Sequence, residues 1–164
     1  METLQRIKLL LVDDEIRFLQ TLTQRLSMRD FDVTPVSNGQ DALDMATRQS
    51  FDLALVDLKM PGMDGEELLA KLKEKHPFIE VVILTGHGSI DSAVTCTRLG
   101  SHSYLQKPCD TEELLLVLQE AYQKRVQRRL QMDEKRISEI LRMVTDQSPL
   151  AILRRLRELE NERG

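Results

Sequence analysis

Residues 7–14 read IKLLLVDD, a nearly unbroken apolar run that ends in two carboxylates. A run without polar alternation is typical of a strand that is buried on both faces of a parallel sheet. The first 110 residues contain four more short runs of this kind, at 31–36, 53–57, 79–84 and 101–105. Between these runs, apolar residues recur every three or four positions, as they do in helices that join parallel strands. The sequence therefore predicts an α/β fold with five parallel strands.

Polar side chains stand at the carboxyl ends of the predicted strands. They are, in chain order, Asp13, Asp14, Asp57, Thr85 and Lys107. Because strand ends of one polarity meet at one edge of a parallel sheet, we expect these side chains to converge on one pocket. Three carboxylates, a hydroxyl and an ammonium predict a site for a divalent cation and a phosphoryl group.

Helix-capping residues stand between the predicted strands. Ser37, just before an Asn-Gly pair, is the predicted N-cap of the second helix, and Asp64 is that of the third. His76 precedes a proline and should end the third helix, because the residue before proline avoids helical geometry. Gly100 should follow the fourth helix at its C′ position.

The composition of the 164-residue chain argues against several classes of protein. Hydrophobic residues make up 41% of it, which is enough for a buried core and too much for a disordered chain. No apolar run approaches the ~20 residues of a membrane span, and the first residues lack the order of a secretion signal. The formal net charge of −4 gives no reason to expect nucleic-acid binding. We expect Cys96 and Cys109 to be reduced thiols in a cytoplasmic protein.

Four motifs, taken in order, resemble the receiver domain of bacterial two-component response regulators. They are VDDE at 12–15, VDLKMPGMDG at 56–65, LTG at 84–86 and YLQKP at 104–108. The resemblance covers residues 6–122, and LTGHGS at 84–89 is most similar to receivers of NtrC-like activators. It implies a flavodoxin-like, doubly wound sheet in the order 2-1-3-4-5.

The resemblance also implies roles for the residues at the predicted edge. Asp57 would be the phosphoacceptor, and a sensor histidine kinase would be the donor. Lys107 and Thr85 would each contact a phosphoryl oxygen. Thr85 and Tyr104 would form the switch that alters the surface of the fourth helix, fifth strand and fifth helix. The Lys107-Pro108 bond is often cis in the family.

A Mg²⁺ site is the cofactor site that the resemblance implies. Asp14, Asp57 and the backbone carbonyl of Lys59 would be direct ligands, and Asp13 would hold a metal-bound water. Many family members carry a small or amide side chain where this chain has Lys59. The lysine side chain could alter how readily water reaches the phosphoryl group.

The helical pattern does not stop at the end of the predicted receiver. We expect two domains, 1–122 and 123–164, because apolar residues then recur in the alternating four-and-three spacing of a coiled coil. The seam consists of Val126, Leu130, Ile137, Ile140 and Val144. Ser148 and Pro149 predict the start of a short last helix. We expect this segment to form a homodimer and, because acidic residues are interspersed among its basic ones, not to bind nucleic acid.

The leading interpretation is a phosphorylation-dependent switch with an unknown downstream protein. It is not expected to be an enzyme beyond self-catalysed phosphotransfer and slow autodephosphorylation. The alternative is a receiver-plus-linker fragment of an NtrC-like transcription activator that lacks its ATPase and DNA-binding domains. A phosphatase with an aspartyl nucleophile is disfavoured, because such enzymes tend to carry Asp-x-Asp after the first strand.

Overall fold

A computed structural model of the chain describes residues 5–144 and 149–162. Strands and helices alternate through its first part, and two helices form the remainder. The elements are β1 (Ile7–Val12), α1 (Ile16–Ser27), β2 (Phe31–Val36), α2 (Gly39–Arg48), β3 (Leu53–Val56), α3 (Gly65–Lys75), β4 (Glu80–Thr85), α4 (Ile90–Arg98), β5 (Ser103–Gln106), α5 (Thr111–Val144) and α6 (Pro149–Asn161). The strand limits differ from the sequence prediction by no more than two residues.

All neighbouring strands are parallel, and their order is β2-β1-β3-β4-β5. The predicted doubly wound sheet is therefore confirmed. The register sets Val12 beside both Val36 of β2 and Val56 of β3. Strands β1 and β3 therefore end at paired residues. The residues that follow them, Asp13 and Asp57, lie next to each other at the carboxyl edge of the sheet.

Two apolar clusters cover the two faces of the sheet. Alternate residues of β1 belong to different clusters: Leu9 packs on the side of α1 and α5, and Leu10 on the side of α2, α3 and α4. Both leucines are completely buried. Full burial of such a side chain stabilises the fold by about 1.5–3 kcal/mol. The sheet therefore holds the residues at its edge in fixed positions.

The helix ends follow the capping signals with one exception. Asn38, not Ser37, is the N-cap of α2, because its extended backbone lets its side chain accept a hydrogen bond from the Asp41 N–H. Ser37 lies one residue too early for that bond. Asp64 caps α3 as predicted, accepting a hydrogen bond from Glu67 N–H. The expected left-handed Gly100, with φ of 98°, follows α4.

Helix α4 is attached to the sheet more weakly than its neighbours. Of its nine residues, Cys96 alone is buried, and that burial raises the pKa of its thiol to about 11. The first turn is held by a capping box in which Ser89 and Ser92 exchange hydrogen bonds. Helix α3, in contrast, buries Leu68, Leu69 and Leu72 completely.

The chain divides into two compact units, and the division falls between Arg125 and Val126. In the second unit, the continuation of α5 and helix α6 line a groove of about 230 Å³ that includes Ile140 and Leu156. Of the predicted seam, Val126 is 40% exposed, and Leu130 and Ile137 are each 56% exposed. The predictions for the Val144 side chain and for Ser148 lie outside the described residues. Within 5–144 and 149–162, no helix is both long and apolar enough to cross a bilayer.

Candidate functional site at the carboxyl edge of the sheet

Two aspartates are fixed at the carboxyl edge by the sheet itself. Asp13 N–H donates to the Val36 carbonyl at 3.2 Å, and Asp57 N–H donates to the Val12 carbonyl at 3.0 Å. Each residue therefore extends the ladder of its strand by one bond. Their side chains are only 3% and 2% exposed, respectively. These carboxylates are held by the fold rather than by a mobile loop.

Three carboxylates meet at this edge. One oxygen each from Asp13, Asp14 and Asp57 lie within 4.8 Å of one another, and Asp14 is the exposed member of the group. Burial raises the pKa of Asp13 despite the opposing hydrogen bond from Lys107. Clustered hard oxygen donors that have lost hydration suit a divalent cation such as Mg²⁺. Lys59, whose carbonyl the family resemblance assigned to the same ion, is an exposed residue of the loop after β3.

The Lys107 side chain is only 12% exposed, and its ammonium lies among carboxylates. It donates to Asp13 Oδ2 at 2.6 Å and lies 4.0 Å from Asp57 Oδ2. Glu15 Oε1 is 3.8 Å away, and the ammonium stands 4.0 Å from the centre of the Phe18 ring. The peptide bond that follows Lys107 is cis. The structure thus adds Glu15 and Phe18 to the residues that the sequence brought to this edge.

The phosphoacceptor candidate has a defined orientation. Asp57 Oδ1 accepts a hydrogen bond from the Leu58 N–H at 2.9 Å, which fixes the plane of the carboxylate. The first residue of α3 approaches the same point, because Gly65 N–H donates to the Leu58 carbonyl at 2.7 Å. A Cβ atom on Gly65 would lie 2.2 Å from the Asp57 carbonyl oxygen. Glycine is therefore a steric requirement here, which its place in the sequence-predicted loop did not reveal.

Thr85 and Tyr104 lie on adjacent strands, and their hydroxyl groups form hydrogen bonds with different parts of the chain. Thr85 is completely buried, and its hydroxyl oxygen accepts a hydrogen bond from His87 N–H at 3.1 Å. The hydroxyl proton can still be donated to another acceptor. Its backbone carbonyl accepts from Lys107 N–H at 2.8 Å, which ties the ends of β4 and β5 together. In the described part of the chain, the Thr85 hydroxyl bonds to the loop and not to the carboxylates.

The half-buried Tyr104 side chain reaches the start of α4. Its hydroxyl lies 2.6 Å from Ser92 Oγ and accepts a hydrogen bond from Ser89 N–H at 3.2 Å. Both partners belong to the capping box of that helix. The position of the Tyr104 ring is therefore coupled directly to the first turn of α4.

Comparison with known proteins agrees with this geometry. Residues 9–119 match the family model described as the response regulator receiver domain. The chain belongs to the response regulator receiver family. Receivers of this family are parts of two-component signalling systems, and the pocket of Asp13, Asp14 and Asp57 is the acidic pocket expected of them.

Several relatives are NtrC-like regulators, as the stretch 84–89 predicted. The chain is 39% identical to the transcriptional regulatory protein GlrR of Escherichia coli over 113 residues, which are 69% of this chain and 26% of GlrR. It is 35% identical to the DNA-binding transcriptional regulator NtrC of Klebsiella pneumoniae over 111 residues, 68% of this chain and 24% of NtrC. The chain thus spans about a quarter of the length of these relatives.

A CheY-like receiver domain protein from Methanospirillum hungatei has a similar solved structure. The two chains superpose with a TM-score of 0.73 at 28% identity, over 75% of this chain and 98% of the other. The superposition covers nearly the whole of the Methanospirillum chain. The likeness therefore concerns the sheet and its surrounding helices.

Proposed function

We propose that the chain is a phosphorylation-dependent switch in which Asp57 accepts a phosphoryl group from the phosphohistidine of a sensor histidine kinase. The convergence of Asp13, Asp14 and Asp57 to within 4.8 Å, with Lys107 beside two of them, is the observation that carries the proposal. Phosphoryl transfer needs positioning and charge neutralisation more than covalent assistance. A rigid edge that holds a nucleophile beside an ammonium supplies both.

One bond forms and one breaks at phosphorus during the transfer. An oxygen of Asp57 makes the new P–O bond while the P–N bond to the donor histidine breaks, and the imidazole nitrogen keeps the electron pair. The hydrogen bond from Leu58 N–H holds the carboxylate in one plane while this happens. Lys107, which lies 4.0 Å from Asp57 Oδ2, would donate to an oxygen of the transferred group.

Asp13, Asp14, Asp57 and the backbone carbonyl of Lys59 would hold a Mg²⁺ ion beside the phosphoacceptor. When bound, the ion would supply positive charge against the oxygens of the incoming phosphoryl group. Without added positive charge, the cluster repels that group, because Asp13, Asp57 and Glu15 all lie within 4.0 Å of the one Lys107 ammonium and Asp14 adds a further negative charge beside them. The contribution of the chain is to keep these carboxylates at a fixed spacing.

The switch would act through Thr85 and Tyr104. An acceptor on phosphorylated Asp57 would compete for the Thr85 hydroxyl, and the Tyr104 ring would follow it inwards. Movement of Tyr104 would release its bonds to Ser89 and Ser92 at the start of α4. The surface of α4, β5 and α5 would change as a result. The downstream partner would bind that surface.

Self-modification would be the whole of the chemistry. The phosphoryl group would leave by slow autodephosphorylation, and no second substrate would be turned over. Lys59 is exposed two residues beyond Asp57, where its side chain could influence access of water. A cytoplasmic location belongs to this proposal, because relatives such as NtrC are named as DNA-binding regulators.

Acetyl phosphate with Mg²⁺ tests the proposal, with intact mass and peptide mapping as the measurements. We expect wild-type protein to gain one phosphoryl group, and Asp57→Asn protein, or wild-type protein in EDTA, to gain none. Asp91→Asn, which alters an exposed aspartate of α4, is the matched control and should be labelled normally. Equal labelling of the Asp57→Asn variant would refute the assignment.

Homodimerisation through the helical extension is part of the same proposal. Leu130 and Ile137 of the predicted seam are each more than half exposed, and they lie seven residues apart, as equivalent positions of a coiled coil do. Ile137→Lys should give monomers by light scattering, whereas Ser138→Lys, on the neighbouring exposed position, should not. Persistent dimers of the Ile137→Lys variant would contradict the seam.

The receiver of a longer NtrC-like activator remains the second candidate. It is favoured by one observation, that the matched relatives are transcriptional regulators about four times as long as the aligned segment. Both candidates predict the same chemistry at Asp57. The length of the encoding gene distinguishes them.

A further inference from the structure

The ammonium group of Lys107 has an aromatic neighbour that the phosphotransfer chemistry does not by itself require. The Phe18 ring centre lies 4.0 Å from Nζ, well inside the ~6 Å range over which a cation is attracted to a ring face. Phe18 lies in the first turn of α1, close in sequence to Asp13 and Asp14. The ring and the acidic cluster are therefore carried by one short segment.

The hydrogen bonds alone would leave Lys107 poorly placed for the phosphoacceptor. Nζ is 2.6 Å from Asp13 but 4.0 Å from Asp57, so the direct bond draws the ammonium towards Asp13. A ring face attracts the charge without taking up an N–H donor in a conventional hydrogen bond. It can therefore stabilise the ammonium at a position between the two carboxylates while leaving its protons for oxygen acceptors.

Burial makes this contact stronger than one at the surface. The Lys107 side chain is 12% exposed, and Phe18 is half-buried beside the apolar cluster of α1 and α5. That packing limits the motion of the ring. Cation–π attraction increases when the pair is shielded from water.

We propose that Phe18 is a positioning residue whose ring face holds the Lys107 ammonium between the carboxylates of Asp13 and Asp57. The ammonium exchanges the Asp13 oxygen for a phosphoryl oxygen while it stays on the ring. This exchange rests on the proposed phosphorylation of Asp57; the position of the ammonium on the ring concerns the unmodified protein alone.

Two substitutions separate the ring from its apolar bulk. Phe18→Leu keeps an apolar side chain but removes the ring face, and Phe18→Tyr keeps the ring. Phe51→Leu is the matched control, because Phe51 is a buried phenylalanine of the opposite cluster, before β3 at the other edge of the sheet. It undergoes the same chemical change without touching Lys107.

Nuclear magnetic resonance of the metal-free, unphosphorylated protein gives a readout that does not depend on activity. The ε-methylene protons of Lys107 should show an upfield ring-current shift in wild-type, Phe18→Tyr and Phe51→Leu proteins. The shift should disappear in Phe18→Leu. An unchanged Lys107 signal in Phe18→Leu would overturn the proposal.

The labelling rate with acetyl phosphate and Mg²⁺ tests the functional half. Phe18→Leu should be labelled about two- to thirty-fold more slowly than wild type, which corresponds to about 0.5–2 kcal/mol of cation–π attraction. Phe18→Tyr should recover most of the rate, and Phe51→Leu should match wild type.

Each failure has its own pattern. Equal rates for wild type and Phe18→Leu, or an equal loss in Phe51→Leu, would overturn the positioning role while leaving the proposed function intact. If wild-type protein is not labelled at Asp57 at all, the proposed function fails and the exchange onto a phosphoryl oxygen fails with it, whereas the ring-current shift still decides whether Phe18 holds the Lys107 ammonium in the unmodified protein.

Discussion

The two edges of the sheet each hold an ion pair between an aspartate and a cation from a distant part of the chain. At the amino edge, Asp52 Oδ1 lies 3.0 Å from Arg125 Nε. At the carboxyl edge, Asp13 Oδ2 lies 2.6 Å from Lys107 Nζ. The two pairs look alike, yet their surroundings differ in the balance of charge.

The Asp52–Arg125 pair has a partner for each of its groups. Asp52 Oδ2 accepts a hydrogen bond from Lys8 N–H at 2.9 Å, and Arg125 Nη1 donates to the Phe78 carbonyl at 2.9 Å. One acid meets one base, and the pair joins the starts of β1, β3 and β4 to α5. At the carboxyl edge, three carboxylates lie within 4.0 Å of the Lys107 ammonium, and Asp14 adds a fourth to the cluster. The same chemistry stabilises the fold where charges balance and leaves a binding site where they do not.

The change with the largest expected effect disrupts the carboxyl edge through its backbone. Gly65→Ala would place a Cβ atom 2.2 Å from the Asp57 carbonyl oxygen and 2.7 Å from Leu58 Cα. Because both neighbours are backbone atoms, we expect a loss of at least about 3 kcal/mol in urea unfolding, at the upper end for overpacked sites. Labelling at Asp57 should fall as well. Gly86→Ala, whose Cβ would meet nothing closer than 4.0 Å, is the control.

The next largest effect breaks the amino edge. Arg125→Met should lower the free energy of unfolding by about 1–3 kcal/mol, less than for a fully buried pair because Asp52 is a quarter exposed. Labelling at Asp57 by acetyl phosphate should be unchanged in the folded protein. Arg48→Met, at an exposed position of α2, should leave stability nearly unchanged. A labelling defect in Arg125→Met would show that the two edges are not independent.

A smaller effect, dependent on pH, is expected at Asp13. Burial raises its pKa above the usual 3.8, so the folded state holds the proton more tightly than the unfolded state does. That contribution to stability is complete below pH 3.8 and is lost as the pH rises through the folded pKa. In EDTA, wild type should therefore lose stability relative to Asp13→Asn as the pH rises towards neutrality.

Urea unfolding at several pH values measures this difference, and added Mg²⁺ should restore stability to wild type more than to Asp13→Asn. An Asp13→Asn variant that is less stable than wild type at neutral pH in EDTA would show that the Lys107 bond outweighs the burial of the carboxylate. The two sheet edges would then be stabilised in the same way.

The smallest effect concerns the tyrosine beside the site. Tyr104→Phe removes a hydroxyl that contacts Ser89 N–H and Ser92 Oγ, so we expect a loss of about 0.5–1.5 kcal/mol. Labelling should persist, whereas the coupling of labelling to dimerisation should weaken. Tyr122→Phe, on α5, is the matched control. If labelling and dimerisation remain coupled in Tyr104→Phe as in wild type, the hydroxyl group has no part in the switch.

The sequence predicted the features that depend on local pattern. Apolar runs located the five strands, and the residues at their ends located Asp13, Asp57 and Lys107. Strand order came from the family resemblance, because periodicity does not say which strands pair. Roles at the site also came from that resemblance and stay predictions.

Other features depend on contacts between distant residues. Phe18 and Lys107 are far apart in sequence, and nothing in the pattern of α1 distinguishes a ring that faces an ammonium from one that fills the core. The same holds for Asp52 and Arg125. Asn38 rather than Ser37 is the N-cap because the backbone is extended at Asn38, immediately before α2 begins, and the sequence does not show at which residue that change occurs. The sequence placed Gly65 in a loop, but it did not reveal that a side chain at this position would collide with the Asp57 backbone.

Helix α4 rests on a single buried side chain and on hydrogen bonds to a tyrosine of the neighbouring strand. Releasing it would expose little apolar area, so its amide protons should exchange with solvent deuterium long before those of α3. The segment would open by local fluctuation while the sheet stays folded. If Asp57 is phosphorylated as proposed, a helix packed this weakly would need a smaller change in free energy to shift its population than a helix packed as firmly as α3.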